Sequence, residues 1–252
     1  MLNKLYFVLL LTVPPWLVQV CKTNISWVRD RTFDDIIRVT GYSQLVTPGQ
    51  NKSAIHCGLL CTSMSWCSSF FFLSATGGCI LHQTVFAVPQ GGQGTKGARY
   101  YRAFTAGCPK EYVFVRQERL CFKVSTSRTV FQYAYGNCSR ADSQLVVLDT
   151  PGKHSAVANY VAEAYSNIFS YFIGGVRPGV VDGTRSQWSA LTDPLTWLTG
   201  ALVSINGPDT FWASENPSNS MGTEGCMELN SGTWNDLSCN HTRAFICERH
   251  VT

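Results

Sequence analysis

The sequence predicts an α+β fold built from two small disulfide-rich units. Three observations carry this. The Cys residues fall into an early group, Cys57, Cys61, Cys67 and Cys79, and a later one, Cys108, Cys121, Cys138, Cys226, Cys239 and Cys247. Between them a Gly-rich stretch, Val88 to Gly97, reads either as a linker or as a wide loop. Segments of helical spacing alternate with short apolar runs of strand type on both sides of that stretch.

The chain of 252 residues opens with Met1-Leu2-Asn3-Lys4 and an apolar run from Leu5 to about Val20. One positive charge before a short apolar stretch is the pattern of a secretory leader, and residues 1–21 are assigned to it. Pro14-Pro15 breaks the run, which is short for a membrane span. A signal anchor is the rival reading; no second apolar stretch reaches a spanning length. A secreted, extracellular product that does not span a membrane after cleavage is expected. Eleven Cys residues in such a chain mean disulfides, and ten remain once Cys21 is set aside at the cleavage point. Sequons at Asn24, Asn51, Asn137 and Asn240 predict N-glycosylation. The formal charge of +4 becomes +3 without Lys4, and the basic residues form no run, which argues against nucleic acid as a partner.

In the first unit, residues 22–106, Ala54 to Met64 predicts a helix with Cys57 and Cys61 on one face. Cys67 to Leu73 and Gly78 to His82 predict two strands around a turn-rich segment. Arg99 to Phe104 predicts a strand that closes the unit, with the boundary near Thr105 to Gly107. In the second unit, residues 107–252, Val130 to Val147 has largely helical spacing. Lys153 to Tyr165 predicts a second helix, with Asp149-Thr150 as its start signal. Tyr171 to Gly175 predicts an apolar strand, and Trp188, Trp197 and Trp212 punctuate a long irregular region after it.

The second unit resembles a long-form C-type lectin domain. The likeness rests on Cys108-Pro109 with Leu120-Cys121-Phe122, Phe172-Ile173-Gly174-Gly175, Trp234-Asn235-Asp236 and Phe245-Ile246-Cys247-Glu248. It implies two helices, antiparallel sheets, a long loop region and the pairs Cys108–Cys121, Cys138–Cys247 and Cys226–Cys239. The first unit resembles a PAN/apple module through Cys57-x3-Cys61-x5-Cys67, Phe70, Phe71 and Cys79-Ile80-Leu81. That likeness implies Cys57–Cys79 and Cys61–Cys67; the outermost apple disulfide has no obvious pair here.

Lectins of this fold usually hold one Ca²⁺ in the long loop and bind sugar hydroxyls through it. The matching positions are Asn216, Ser218, Glu224, Asn235 and Asp236, with Pro217 in the cis form. They are the expected carbohydrate-binding and metal-ligating residues. Asn216 stands where Glu or Gln is usual, and Ser218 where Asn or Asp is usual. Only Glu224 and Asp236 bring charge, so weak calcium assistance is expected. Glu215 could supply a carboxylate if the register slips by one residue. A second calcium site would need acids near Asn219 and Gly225 and is expected to be absent. Alanine at Glu224 or Asp236 is expected to abolish calcium-dependent sugar binding and leave secretion nearly intact. Trp234 reads as core rather than as a platform for sugar.

No His-Glu-x-x-His, Gly-x-Ser-x-Gly or P-loop pattern occurs, so catalysis is not expected. The expected function is a secreted lectin that recognises glycans or glycoproteins on cells or microbes. The alternative is a calcium-independent interaction protein of the same fold, binding a protein ligand through its loop face or its PAN-like unit.

Overall fold

The computed structural model describes residues 25–40, 43–46 and 53–251. The leader 1–21, Cys21 and the sequon residues Asn24 and Asn51 lie outside the described residues. The first unit contains β1 (Ser26–Asp30), β2 (Ile36–Ile37), β3 (Ser43–Val46), α1 (Ala54–Ser63), β4 (Ser69–Leu73), β5 (Gly78–His82), β6 (Gln93–Gly94) and β7 (Ala98–Phe104). Five strands form an antiparallel sheet in the order β1-β7-β4-β5-β3.

Ser53 starts α1 by accepting a hydrogen bond from the His56 amide, a side-chain N-cap. Cys57 and Cys61 then face the sheet and bond Cys79 and Cys67. Gly58 lies between them, and a β-carbon there would press on the Trp27 ring at 2.9 Å. The Gly-rich stretch is a loop folded back on its own unit, since β6 pairs with β2. The Gly97 amide also donates to Asp35 Oδ1 at 2.5 Å.

The second unit runs through β8 (Val113–Val115), β9 (Leu120–Thr129), α2 (Phe131–Arg140), β10 (Gln144–Leu145), α3 (Pro151–Ala164), β11 (Ser170–Val176), β12 (Thr196–Trp197), β13 (Cys226–Asn230), β14 (Thr233–Leu237) and β15 (Arg243–Arg249). Its main sheet has the order β14-β13-β11-β15-β9-β8. Two expectations need correction. The helical spacing of Val130 to Val147 yields a helix only to Arg140. Leu145, Val146, Val147 and Leu148 are all fully buried, which one helix face cannot supply. They run extended instead, with the Val146 amide donating to Ile246 O and Val146 O accepting from the Gly174 amide. The sheet is also not wholly antiparallel, because β11 and β15 pair in parallel. The long excursion between these strands makes that geometry possible, since parallel neighbours need a crossover.

α3 starts where expected: Thr150 accepts from the Lys153 amide and Pro151 takes the first turn. Beneath the sheet, Trp234 is 2% exposed and packs edge-on against Trp197, Phe211 and Trp212. It belongs to the core, as the sequence indicated. His154 of α3 stacks on Phe211 at 3.6 Å, and its Nδ1 lacks a partner.

The two units touch along a polar and apolar seam. Arg116 extends its guanidinium to Cys61 O and Cys67 O, both at 2.7 Å, and to Thr62 O at 3.1 Å. Arg38 forms a bidentate pair with Glu163 at 2.8 and 3.0 Å. Ile25, Trp27 and Ala103 pack with Cys108, Tyr112 and Phe114. No disulfide among the described residues crosses from one unit to the other.

Burial lowers the pKa of His82 and of His154 to about 4 each, so both are neutral at pH 7. The unfolded chain binds these protons at higher pH than the native state does. Stability is therefore complete above the unfolded value of about 6.5 and is lost as pH falls toward 4. The effect is on the order of 3 kcal/mol per residue if both stay buried. Urea midpoints measured from pH 7 to pH 4.5 should fall, and His82→Phe should flatten the curve.

Candidate functional site

The site lies in the irregular segment 177–225, between β11 and β13, and on the facing strand β14. β14 pairs with β13 so that Asn235 opposes Glu228 and Asp236 opposes Met227. Neighbouring residues on a strand point to opposite faces, so Asn235 and Asp236 diverge. Asn235 donates from its side-chain nitrogen to Glu228 Oε1 at 2.9 Å, and Arg243 pairs with the other oxygen of that buried carboxylate. Asp236 turns the other way and is fully buried.

Asn235 thus faces away, and among the five expected residues hydrogen bonds join only Ser218 with Asp236 and Glu224, beside the Asn216–Pro217 bond, which is cis. Asp236 holds the turn that follows it. Oδ1 accepts from the Ser218 amide at 2.8 Å and Oδ2 from the Asn219 amide at 2.9 Å. Glu224 closes the same turn from outside, accepting from the Ser218 hydroxyl at 2.8 Å and the Ser220 amide at 2.5 Å. Asn216 is half-buried and donates to Ser214 O at 3.3 Å. Glu215 forms no contact with this cluster among the hydrogen bonds of the described residues. Asn219 is itself buried; it donates to Trp188 O at 2.8 Å and accepts from the Glu224 amide at 3.3 Å.

The sequence reading missed the residue at the centre of this network, Arg177. It follows β11 directly and is 3% exposed. Its guanidinium donates to Asp193 O at 2.6 Å, Glu224 O at 2.9 Å and Asp236 Oδ2 at 3.1 Å. Asp193 is held in turn by Arg185 through two bonds of 2.7 and 2.9 Å. That pairing keeps its carboxyl below the usual range. A lone Arg after an apolar strand reads as an exposed charge, so only a partner-less acidic residue within the loop could have signalled it.

These residues do not fit the calcium ion that the resemblance implied. Calcium takes six to eight oxygens and is drawn by several carboxylates. Only Glu224 and Asp236 bring carboxylates here, and Asp236 already accepts from two amides and a guanidinium. A divalent ion placed on it would meet the positive charge of Arg177. Nor is there room for an acid at Gly225, where a β-carbon would overlap the Trp188 ring. The burial also overturns the expectation that alanine at Asp236 is harmless to folding.

Comparison with known proteins bears on the same segment. Residues 127–249 match the model of the Lectin C-type domain. Human C-type lectin domain family 17, member A is 32% identical over 133 residues, 52% of this chain and 30% of that protein. Perlucin from Haliotis laevigata is 29% identical over 147 residues, 57% of this chain and 83% of that protein. The matched region thus spans less than a third of the first relative. Among solved structures, human lithostathine aligns with a TM-score of 0.45 and 23% identity, covering 57% of this chain and all of that one. The mouse scavenger receptor C-type lectin carbohydrate-recognition domain aligns at 0.44 and 23%, covering 57% and 98%. The first unit lies outside the family match. From residue 127 to residue 249, this chain carries a C-type lectin domain.

Proposed function

We propose that the chain is a secreted carbohydrate-binding protein that recognises glycans on cells or microbes through the rim of its long loop. The observation that carries the reading is the lectin-domain match over residues 127–249. The rim chemistry supports it. Asn216, Ser218, Glu224 and Asn235 are all partly or fully exposed. Glu224 Oε1 and the side-chain oxygens of Asn216 and Asn235 are without hydrogen-bond partners among the described residues. Such oxygens accept from sugar hydroxyls, and a charged acceptor is worth about 1.5–3 kcal/mol. The division into units 22–106 and 107–252, with the first PAN/apple-like, belongs to the same proposal.

A glycan array of the secreted protein, run in calcium and in chelator, tests this. Binding to a defined set of sugars is expected in both buffers. Glu224→Ala should weaken it by about tenfold or more while costing under about 1.5 kcal/mol of stability. No glycan bound in either buffer would overturn the reading. A second reading, a protein ligand on the loop face, draws on Leu191 and Met221, which are 95% and 93% exposed. Large apolar side chains on a rim are a mark of protein contact. Retained binding to glycans after both are changed to Ser would exclude them from sugar contact.

A further inference from the structure

We infer that the guanidinium of Arg177 takes the place of a bound cation in the long loop, so that the loop holds its shape without calcium. The three acceptors of Arg177 come from three separate parts of the chain: Asp193, Glu224 and Asp236. Two are backbone carbonyl oxygens and one is a carboxylate oxygen, the kinds of donor a hard cation gathers. Guanidinium suits this task because it is permanently charged and its donors form a fixed planar fork. It bridges oxygens that would otherwise repel one another.

The links continue outward from each acceptor. Asp236 holds the Ser218 and Asn219 amides, so Arg177 reaches the turn after Pro217 through that carboxylate. Asn219 joins the turn to Trp188 O and to the Glu224 amide. Asp193 accepts from the Ser189 amide and from Arg185. The Arg177 amide donates to Gly225 O. Removing the Arg177 side chain would leave the Asn219 links in place but release Asp193 O, Glu224 O and the Asp236 carboxylate from their common centre. The inference does not depend on the ligand being a glycan.

The test is the melting temperature of the full secreted chain, together with the rate of limited proteolysis within residues 177–225, in excess calcium and in excess chelator. Wild type is expected to give the same melting temperature and the same cleavage rate in both. Arg177→Met should melt lower and be cut faster in chelator. Calcium should then raise its melting temperature, because the Asp236 carboxylate and the carbonyl oxygens of Asp193 and Glu224 are left without an internal cation. A wild-type melting temperature that rises with calcium, or loop cleavage that accelerates in chelator, would overturn the inference. So would an Arg177→Met protein that matches wild type in both. Should that variant fail to be secreted, the wild-type comparison still decides.

Discussion

Asp236→Ala is expected to lower the unfolding free energy by about 3–5 kcal/mol, the usual cost of breaking a buried ion pair from one side. The side chain is fully buried and its partner Arg177 is 3% exposed, so the remaining charge would stay away from water. The same change removes the acceptor of the Ser218 and Asn219 amides. Asp236→Asn keeps the volume and part of the hydrogen bonding but leaves the guanidinium without its counter-charge, so it should recover only part of the loss. Urea unfolding followed by Trp fluorescence measures both, since the buried Trp234 lies two residues before Asp236 on β14. A loss under 1 kcal/mol for the alanine variant, on the scale of an exposed ion pair, would show that the pair is open to solvent.

The second large effect is expected at Cys138–Cys247. This bond closes a loop of sequence separation 109, against 13 for each of the two other bonds in the same unit. Constraint of the unfolded chain grows with loop length, so changing both residues to Ala should cost about 4–5 kcal/mol. Cys138 on α2 is buried and Cys247 on β15 is half-buried, and the alanines would leave little polar surface behind. Cys226–Cys239, with its shorter loop, should cost about 3 kcal/mol. The measurement is denaturant unfolding of each double variant beside wild type. Equal losses for the two pairs would mean that native packing, and not chain entropy, sets their effect.

Much of this fold was legible because local signals agreed. Ser53 and Thr150 mark helix starts by simple capping chemistry, and Gly78 to His82 forms a strand over the range its pattern indicated. The five disulfide pairs implied by family resemblance are the five present among the described residues. Spacing alone would not have chosen them from the many ways to pair ten Cys residues. Where the reading failed, contacts distant in sequence decided the outcome. Residues 145–148 have apolar character that suits a helix, but they lie between β11 and β15 and are buried on all sides.

The site divides in the same way. The positions of Asn216, Ser218, Glu224, Asn235 and Asp236 could be matched to a motif, and hydrogen bonds link three of them, Ser218, Glu224 and Asp236, at one turn. What each side chain faces could not be read. Asp236 looks inward because Arg177 lies 59 residues earlier in the chain and enters the same space. Arg177 meets its other acceptors across separations of 16 and 47 residues. No periodicity records such meetings. The Asn235 side chain is likewise drawn to Glu228 by strand register, which depends on how β13 and β14 pair.

The Arg116 contacts have a consequence for how the whole chain melts. A helix ends with carbonyl groups that lack partners and with a partial negative charge. α1 has no basic residue in its last turn. Arg116 supplies the missing positive group from the other unit, donating to Cys61 O and Thr62 O at that end. The helix of one unit is thus capped in trans by a side chain of the next. Neither half can unfold without stripping a charged cap from its neighbour, so the two should come apart in one cooperative transition.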